Sequence, residues 1–172
     1  MKIFFGEPMI DIVFTASNTF VGRAIRWLTK GTVSHAALDY HNNMFGTSWT
    51  MEATGRGAWT IPTINAHNNV TRRFRCRFDT ISALQQLTVV LSAPYDYEGV
   101  FFLGIIKLWW KLFRRKMKKF WHRTSTMFCS ELVATFLQNA GFCGSWDVEL
   151  VDPQMLLDFC ITNPDLFDEI IV

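Results

Sequence analysis

Three residues in this chain have types that could build a nucleophilic thiol site: a cysteine, a histidine and a glutamate. Cys129 follows Phe128 at the start of a run, 128–140, whose apolar spacing predicts a helix. A thiol in the first turn of a helix meets unpaired backbone N–H groups and the positive end of the helix dipole. These favour the thiolate and make it a nucleophile near neutral pH. A base must accompany it, and His35 lies among small residues in Ser34-His35-Ala36-Ala37. Glu52, in Met51-Glu52-Ala53, is the carboxylate that would fix the imidazole tautomer and stabilise its charged form. The same residues also fit a plainer arrangement, in which the cysteine packs in a core and the histidine and glutamate face solvent.

The elements that must position these groups can be read from periodicity and punctuation. Residues 11–15 form a β-branched run that predicts a strand. Ser17 or Asn18 would cap a helix over 19–29, closed by Gly31. Residues 33–40 and 47–53 read as two strands joined by His41, Asn42, Asn43, Met44, Phe45 and Gly46, a turn-rich stretch. If His35 and Glu52 oppose each other in that hairpin, paired residue numbers sum to 87 and the turn falls between Asn43 and Met44. A one-residue slip would send them to opposite faces. Residues 70–78 alternate, with Phe74, Cys76 and Phe78 on one face and Arg73, Arg75 and Arg77 on the other, as in a half-buried strand.

The second half of the chain reads as mostly helical. Helices are predicted at 80–93, ended by Pro94, and at 99–121. For the helix at 128–140, Ser125 or Thr126 is the expected N-cap and Gly141 the C′ residue. Asp152 followed by Pro153 predicts another N-cap and a helix to about 160, and 167–172 reads as an edge strand. Early strands and late helices predict an α+β fold, with an antiparallel sheet packed against helices, in one domain spanning 1–172.

Composition narrows the function classes. The 172 residues are 49% hydrophobic and 19% charged, which excludes a disordered chain or a collagen. Sixteen Phe and seven Trp raise the aromatic share to 15%, enough to suggest an apolar surface as well as a core. Cys76, Cys129, Cys143 and Cys160 show no tight spacing and read as reduced thiols. The histidines His35, His41, His67 and His122 are scattered, so neither a metal nor another cofactor is expected. The apolar run before Glu7 is too short for a secretory leader and no stretch reaches about 18 apolar residues, so neither a leader nor a membrane span is expected. The expected location is therefore cytoplasmic, peripheral to a membrane, or inside a larger assembly that delivers the protein.

The order of motifs resembles the circularly permuted papain-fold hydrolases related to NlpC, the YiiX-like branch above all. Papain-type enzymes run Cys then His; here His35 precedes Cys129, as in the permuted forms. The resemblance covers most of the chain. Asp11-Ile12-Val13 is similar to the opening strand, Ser34-His35 to the histidine strand, and Met51-Glu52-Ala53 to the acidic third position. Cys129-Ser130-Glu131-Leu132-Val133, the most specific piece, is similar to the nucleophile helix, and Asp152-Pro153-Gln154-Met155-Leu156 to the terminal helix. It implies a catalytic trio in which Cys129 attacks a carbonyl carbon, His35 exchanges the proton and Glu52 orients His35. The oxyanion would lie near the N–H of Cys129 and its helix neighbours. Tyr95 and Tyr97 either line the substrate cleft or simply pack, and Ser130 and Glu131 read as helix-start residues.

One segment departs from that pattern. Residues 107–123 hold eight of the 17 basic residues and no acid, whereas 124–172 hold eight of the 15 acids and no base. At 100° per residue Ile106, Trp110, Phe113, Met117 and Trp121 form one stripe, with Lys107, Lys111, Arg114, Arg115 and Lys118 opposite. A cationic amphipathic helix at about 100–123 would lie on an anionic membrane through Trp110, Lys111, Phe113, Arg115, Met117, Lys118 and Trp121, or pack its aromatic face on the core. No nucleic-acid motif accompanies it. The leading expectation is a cysteine hydrolase that cleaves an amide bond, as in a cell-wall stem peptide. The rivals are a lipid acyl ester or thioester hydrolase or acyltransferase, and a non-catalytic module binding a membrane or a protein assembly partner.

Overall fold

The computed structural model describes residues 9–42, 46–54, 57–66, 69–88 and 127–171. The expected helix at about 100–123, with Trp110, Lys111, Phe113, Arg115, Met117, Lys118 and Trp121, lies outside the described residues, as do Tyr95 and Tyr97.

Apolar residues at every second position draw the early strands into one sheet. The strands are β1 (Met9–Thr15), β2 (His35–Asn42), β3 (Thr47–Thr54), β4 (Gly57–Pro62), β5 (Val70–Cys76) and β6 (Phe167–Ile170). They pair antiparallel throughout, in the order β4-β3-β2-β1-β5-β6. The helices are α1 (Phe20–Thr29), α2 (Ile81–Leu87), α3 (Cys129–Asn139) and α4 (Pro153–Thr162). The described residues thus form an α+β fold, and β6 is the expected edge strand.

The core lies on one face of the sheet. Ile10, Ile12 and Phe14 of β1, Leu38 of β2, Met51 of β3 and Phe74 of β5 meet Leu132, Val133, Phe136 and Leu137 of α3 and Leu156 and Leu157 of α4. Leu and Phe side chains buried this completely supply about 1.5 to 3 kcal/mol each. Part of the aromatic excess is spent here. Phe78 packs on Phe142 at 4.7 Å, Phe167 at 5.8 Å and Phe136 at 6.1 Å between centroids, and Phe14 meets Phe74 edge-on at 6.0 Å.

Several local expectations change. Thr19 rather than Ser17 or Asn18 caps α1, its hydroxyl accepting the Gly22 N–H. Lys30, not Gly31, takes the left-handed turn that ends it, at φ 54°. Phe128 occupies the N-cap of α3 in place of Ser125 or Thr126, because the Glu131 carboxylate reaches back to accept the Phe128 N–H at 3.3 Å. Strand β4, which no alternating pattern marks, is present at an edge where its terminal Gly57 and Pro62 are tolerated. At the far end of α3, Gly141 has the expected positive φ of 88°. Asp152 caps α4 as expected, accepting the Met155 N–H at 2.9 Å.

Candidate active site

His35 is the first residue of β2 and pairs with Thr15, the last of β1, so its side chain stands at the end of the sheet. Its partner carboxylate comes from the next strand. The hairpin pairs Leu38 with Met51 and Tyr40 with Trp49, so opposing numbers sum to 89 instead of the expected 87. That two-residue shift moves the turn but keeps the side-chain parity of both strands, because alternation has a period of two. Glu52 therefore remains on the His35 face as a diagonal neighbour rather than a direct one. The distance from His35 Nε2 to Glu52 Oε2 is 3.1 Å.

The third group comes from the helical layer. Cys129 opens α3, whose apolar face is packed on the sheet, and the packing brings its sulfur into hydrogen bonding with His35. With Nε2 committed to Glu52, Nδ1 is the ring nitrogen left for the sulfur. The backbone N–H groups of Ala36 and Ser130 also donate to that sulfur. The Ser130 amide is one of the helix-start donors expected there, whereas the Ala36 amide, from the histidine strand, carries no residue signature. Ser130 and Glu131 are helix-start residues as expected: the Ser130 hydroxyl donates to Val151 O at 2.8 Å, and Glu131 holds the Phe128 amide.

Electrostatics at the site follow from this layout. Burial by itself would raise the Cys129 pKa, since the sulfur is in a residue only 6% exposed. The charge and hydrogen bond of His35, with the Ala36 and Ser130 amides, outweigh burial and hold the thiol below its ordinary value. Burial likewise works to discharge His35, but the Cys129 sulfur and then the Glu52 carboxylate overcome it and keep the imidazole protonated above its usual range. The favoured state is a thiolate–imidazolium pair steadied by a carboxylate. The other thiols differ: burial pushes Cys143 up to about 11 and raises Cys76 and Cys160 further.

A second polar cluster, which the sequence patterns did not single out, occupies the sheet face opposite the helices. Asp11 accepts from Arg75 Nε at 3.0 Å and from Arg73 at 3.1 Å, and lies 3.0 Å from His41 Nε2. Arg73 also reaches Asp39 at 2.8 Å, and the Thr50 hydroxyl donates to Asp39 at 2.6 Å. Acids in mid-strand at Asp11 and Asp39, facing the arginines of β5, were the available signal. Both carboxylates are taken up by guanidinium groups, so the cluster reads as structural.

Among the described residues no group of His, Cys, Asp and Glu is placed to hold a metal ion, and no helix is long and apolar enough to cross a membrane. Compared with known proteins, the chain matches no family model and no curated protein.

Proposed function

We propose that the chain is a cysteine hydrolase of the circularly permuted papain-like fold, cleaving an amide bond through an acyl-enzyme. The observation that carries this reading is His35 held between the Cys129 sulfur and the Glu52 carboxylate, 3.1 Å from the latter. Packing alone asks for no such arrangement: a buried thiol in an apolar helix has its pKa raised, as at Cys160. The antiparallel sheet backed by helices, with the histidine strand preceding the cysteine helix, agrees with the permuted order.

In the reaction, the Cys129 thiolate attacks the amide carbonyl carbon and the carbonyl π electrons move to oxygen, giving a tetrahedral oxyanion beside the first turn of α3. The oxyanion collapses, the C–N bond breaks, and the imidazolium of His35 gives its proton to the departing amine. His35, now neutral, takes a proton from water as the water attacks the thioester. The acid is released and the thiolate–imidazolium pair returns. Glu52 holds the ring through both steps. A peptide such as a cell-wall stem peptide is the first substrate class to try. Incubation with such peptides should yield an acyl adduct on Cys129, visible by mass spectrometry. Cys129→Ala and His35→Ala should each lower turnover by about 10³-fold or more. Full activity in Cys129→Ala would end the proposal.

A further inference from the structure

Helix α1 leaves part of its apolar arc exposed. At 100° per residue Trp27, Phe20, Ala24, Leu28, Val21 and Ile25 share an arc of about 160°, and Arg26, Lys30 and Arg23 lie opposite. Such a helix ordinarily turns its apolar arc inward. Here only Gly22 is buried and Ala24, Ile25 and Leu28 are half-buried, while Phe20 is 87% exposed and Val21 and Trp27 are each 59% exposed. The helix is held from its other side. Gly22 lies so close to Ser17 that a Cβ would come within 2.5 Å of the Ser17 carbonyl oxygen. Arg26 donates to that same oxygen at 2.6 Å. Among the described residues no strand or other helix packs along it. A capped, anchored helix thus leaves Phe20, Val21 and Trp27 exposed beside cations.

We propose that α1 docks the protein on an anionic lipid bilayer. Charge selects this occupant. Arg23, Arg26 and Lys30 have no acidic counterpart anywhere in residues 12–38, so two copies of the helix would repel each other. Anionic headgroups supply the missing charge, and the acyl boundary takes Phe20, Val21 and Trp27. The placement matters for the candidate site. β1 ends at Thr15 and β2 opens at His35, and the two ends of the intervening excursion are stitched together. The Ser17 N–H donates to Ser34 Oγ and the Ser34 N–H to Thr15 O, both at 2.9 Å. Docking through α1 therefore sets the His35 end of the sheet against the bilayer, whatever chemistry proceeds there.

Co-sedimentation of the full chain with phosphatidylcholine vesicles, with and without phosphatidylglycerol, tests this. Wild type should bind the anionic vesicles at low salt and release at high salt. Phe20→Ser/Val21→Ser and Arg23→Glu/Lys30→Glu change exposed side chains and should melt like wild type, yet each should weaken partitioning by at least about tenfold. Three results would overturn the proposal. Wild type that ignores anionic vesicles is one; variants that bind as well as wild type, which would move binding to another part such as 107–123, are another. The third is a wild-type dimer that Phe20→Ser/Val21→Ser converts to monomer without any loss of vesicle binding, which would make a second copy the occupant.

Discussion

A thiolate and an imidazolium in contact titrate as a pair, and this gives the Cys129 site a recognisable pH signature. Cys129 is held below the ordinary thiol value and His35 above the ordinary imidazole value, and both directions favour the charged pair. Alkylation by iodoacetamide should therefore already be fast at pH 6, where an unperturbed thiol is less than about 1% thiolate. Cys129 should react at least about tenfold faster than Cys143 there, because burial pushes the Cys143 thiol up to about 11. His35→Ala removes the leading favourable charge on the thiolate, and its labelling profile should move to higher pH. Peptide mapping of the alkylated protein at several pH values reads both effects; equal labelling of all four cysteines at pH 6 would contradict the pairing. In the proposed reaction Glu52 holds the His35 ring and exchanges no bond or proton, which makes it a positioning residue. Glu52→Gln should lower turnover by less than about 10²-fold while narrowing the alkaline side of the activity profile, since the imidazolium loses a negative partner. A loss as complete as that of Cys129→Ala in a folded protein would give Glu52 another role.

At the scale of elements, the candidate site depended on parity more than on register. The hairpin turn residues pointed to His35 and Glu52 as partners but placed them directly opposite, whereas the strands pair two residues further along. Side-chain direction survives a shift of two, so the site was legible although the register was not. The helix starts were read unevenly for a related reason. Asp152-Pro153 announces a cap by residue type, but α3 starts at Phe128, whose apolar side chain cannot cap; the signal there is Glu131, three residues on. The Ser130 amide followed from the predicted helix start, but the Ala36 amide left no trace in the sequence. Ser130 also ties the start of α3 to the turn before α4 through its 2.8 Å bond to the Val151 carbonyl. Ser130→Ala should cost about 1 to 3 kcal/mol in urea unfolding, since a buried acceptor is left unpaired. The Cys129 labelling rate should stay within about threefold of wild type, because the Ser130 amide and not its hydroxyl serves the sulfur. A labelling rate that collapses with a modest loss of stability would show that the hydroxyl sets the position of the thiol.

Among the described residues α2, α3 and α4 pack on one face of the sheet and a charged network occupies the other, and the network ties stability to pH. Strand alternation puts Ile10, Ile12 and Phe14 toward the helices and leaves Asp11 on the far face, 1% exposed. Burial alone would raise the Asp11 pKa. Hydrogen bonds from His41, Arg75 and Arg73 outweigh burial and lower it to about 2. Because the folded value lies below the unfolded one, ionised Asp11 stabilises the protein fully above the ordinary aspartate range, and this contribution disappears as pH falls through about 2. Asp11→Asn leaves Arg73 and Arg75 without their shared carboxylate. It should cost about 3 kcal/mol at pH 7, the lower end for breaking a buried pair, because Arg75 is 38% exposed and water takes up part of its charge. Urea unfolding from pH 7 down to pH 1.5 separates this network from an ordinary surface ion pair. The gap between wild type and Asp11→Asn should be nearly whole at pH 4, where an exposed aspartate is already half protonated, and should close only as the pH approaches 2. A gap that closes between pH 5 and 4, or one below about 1 kcal/mol at pH 7, would mean that Asp11 is solvated like a surface carboxylate and that the far face contributes little to holding the sheet.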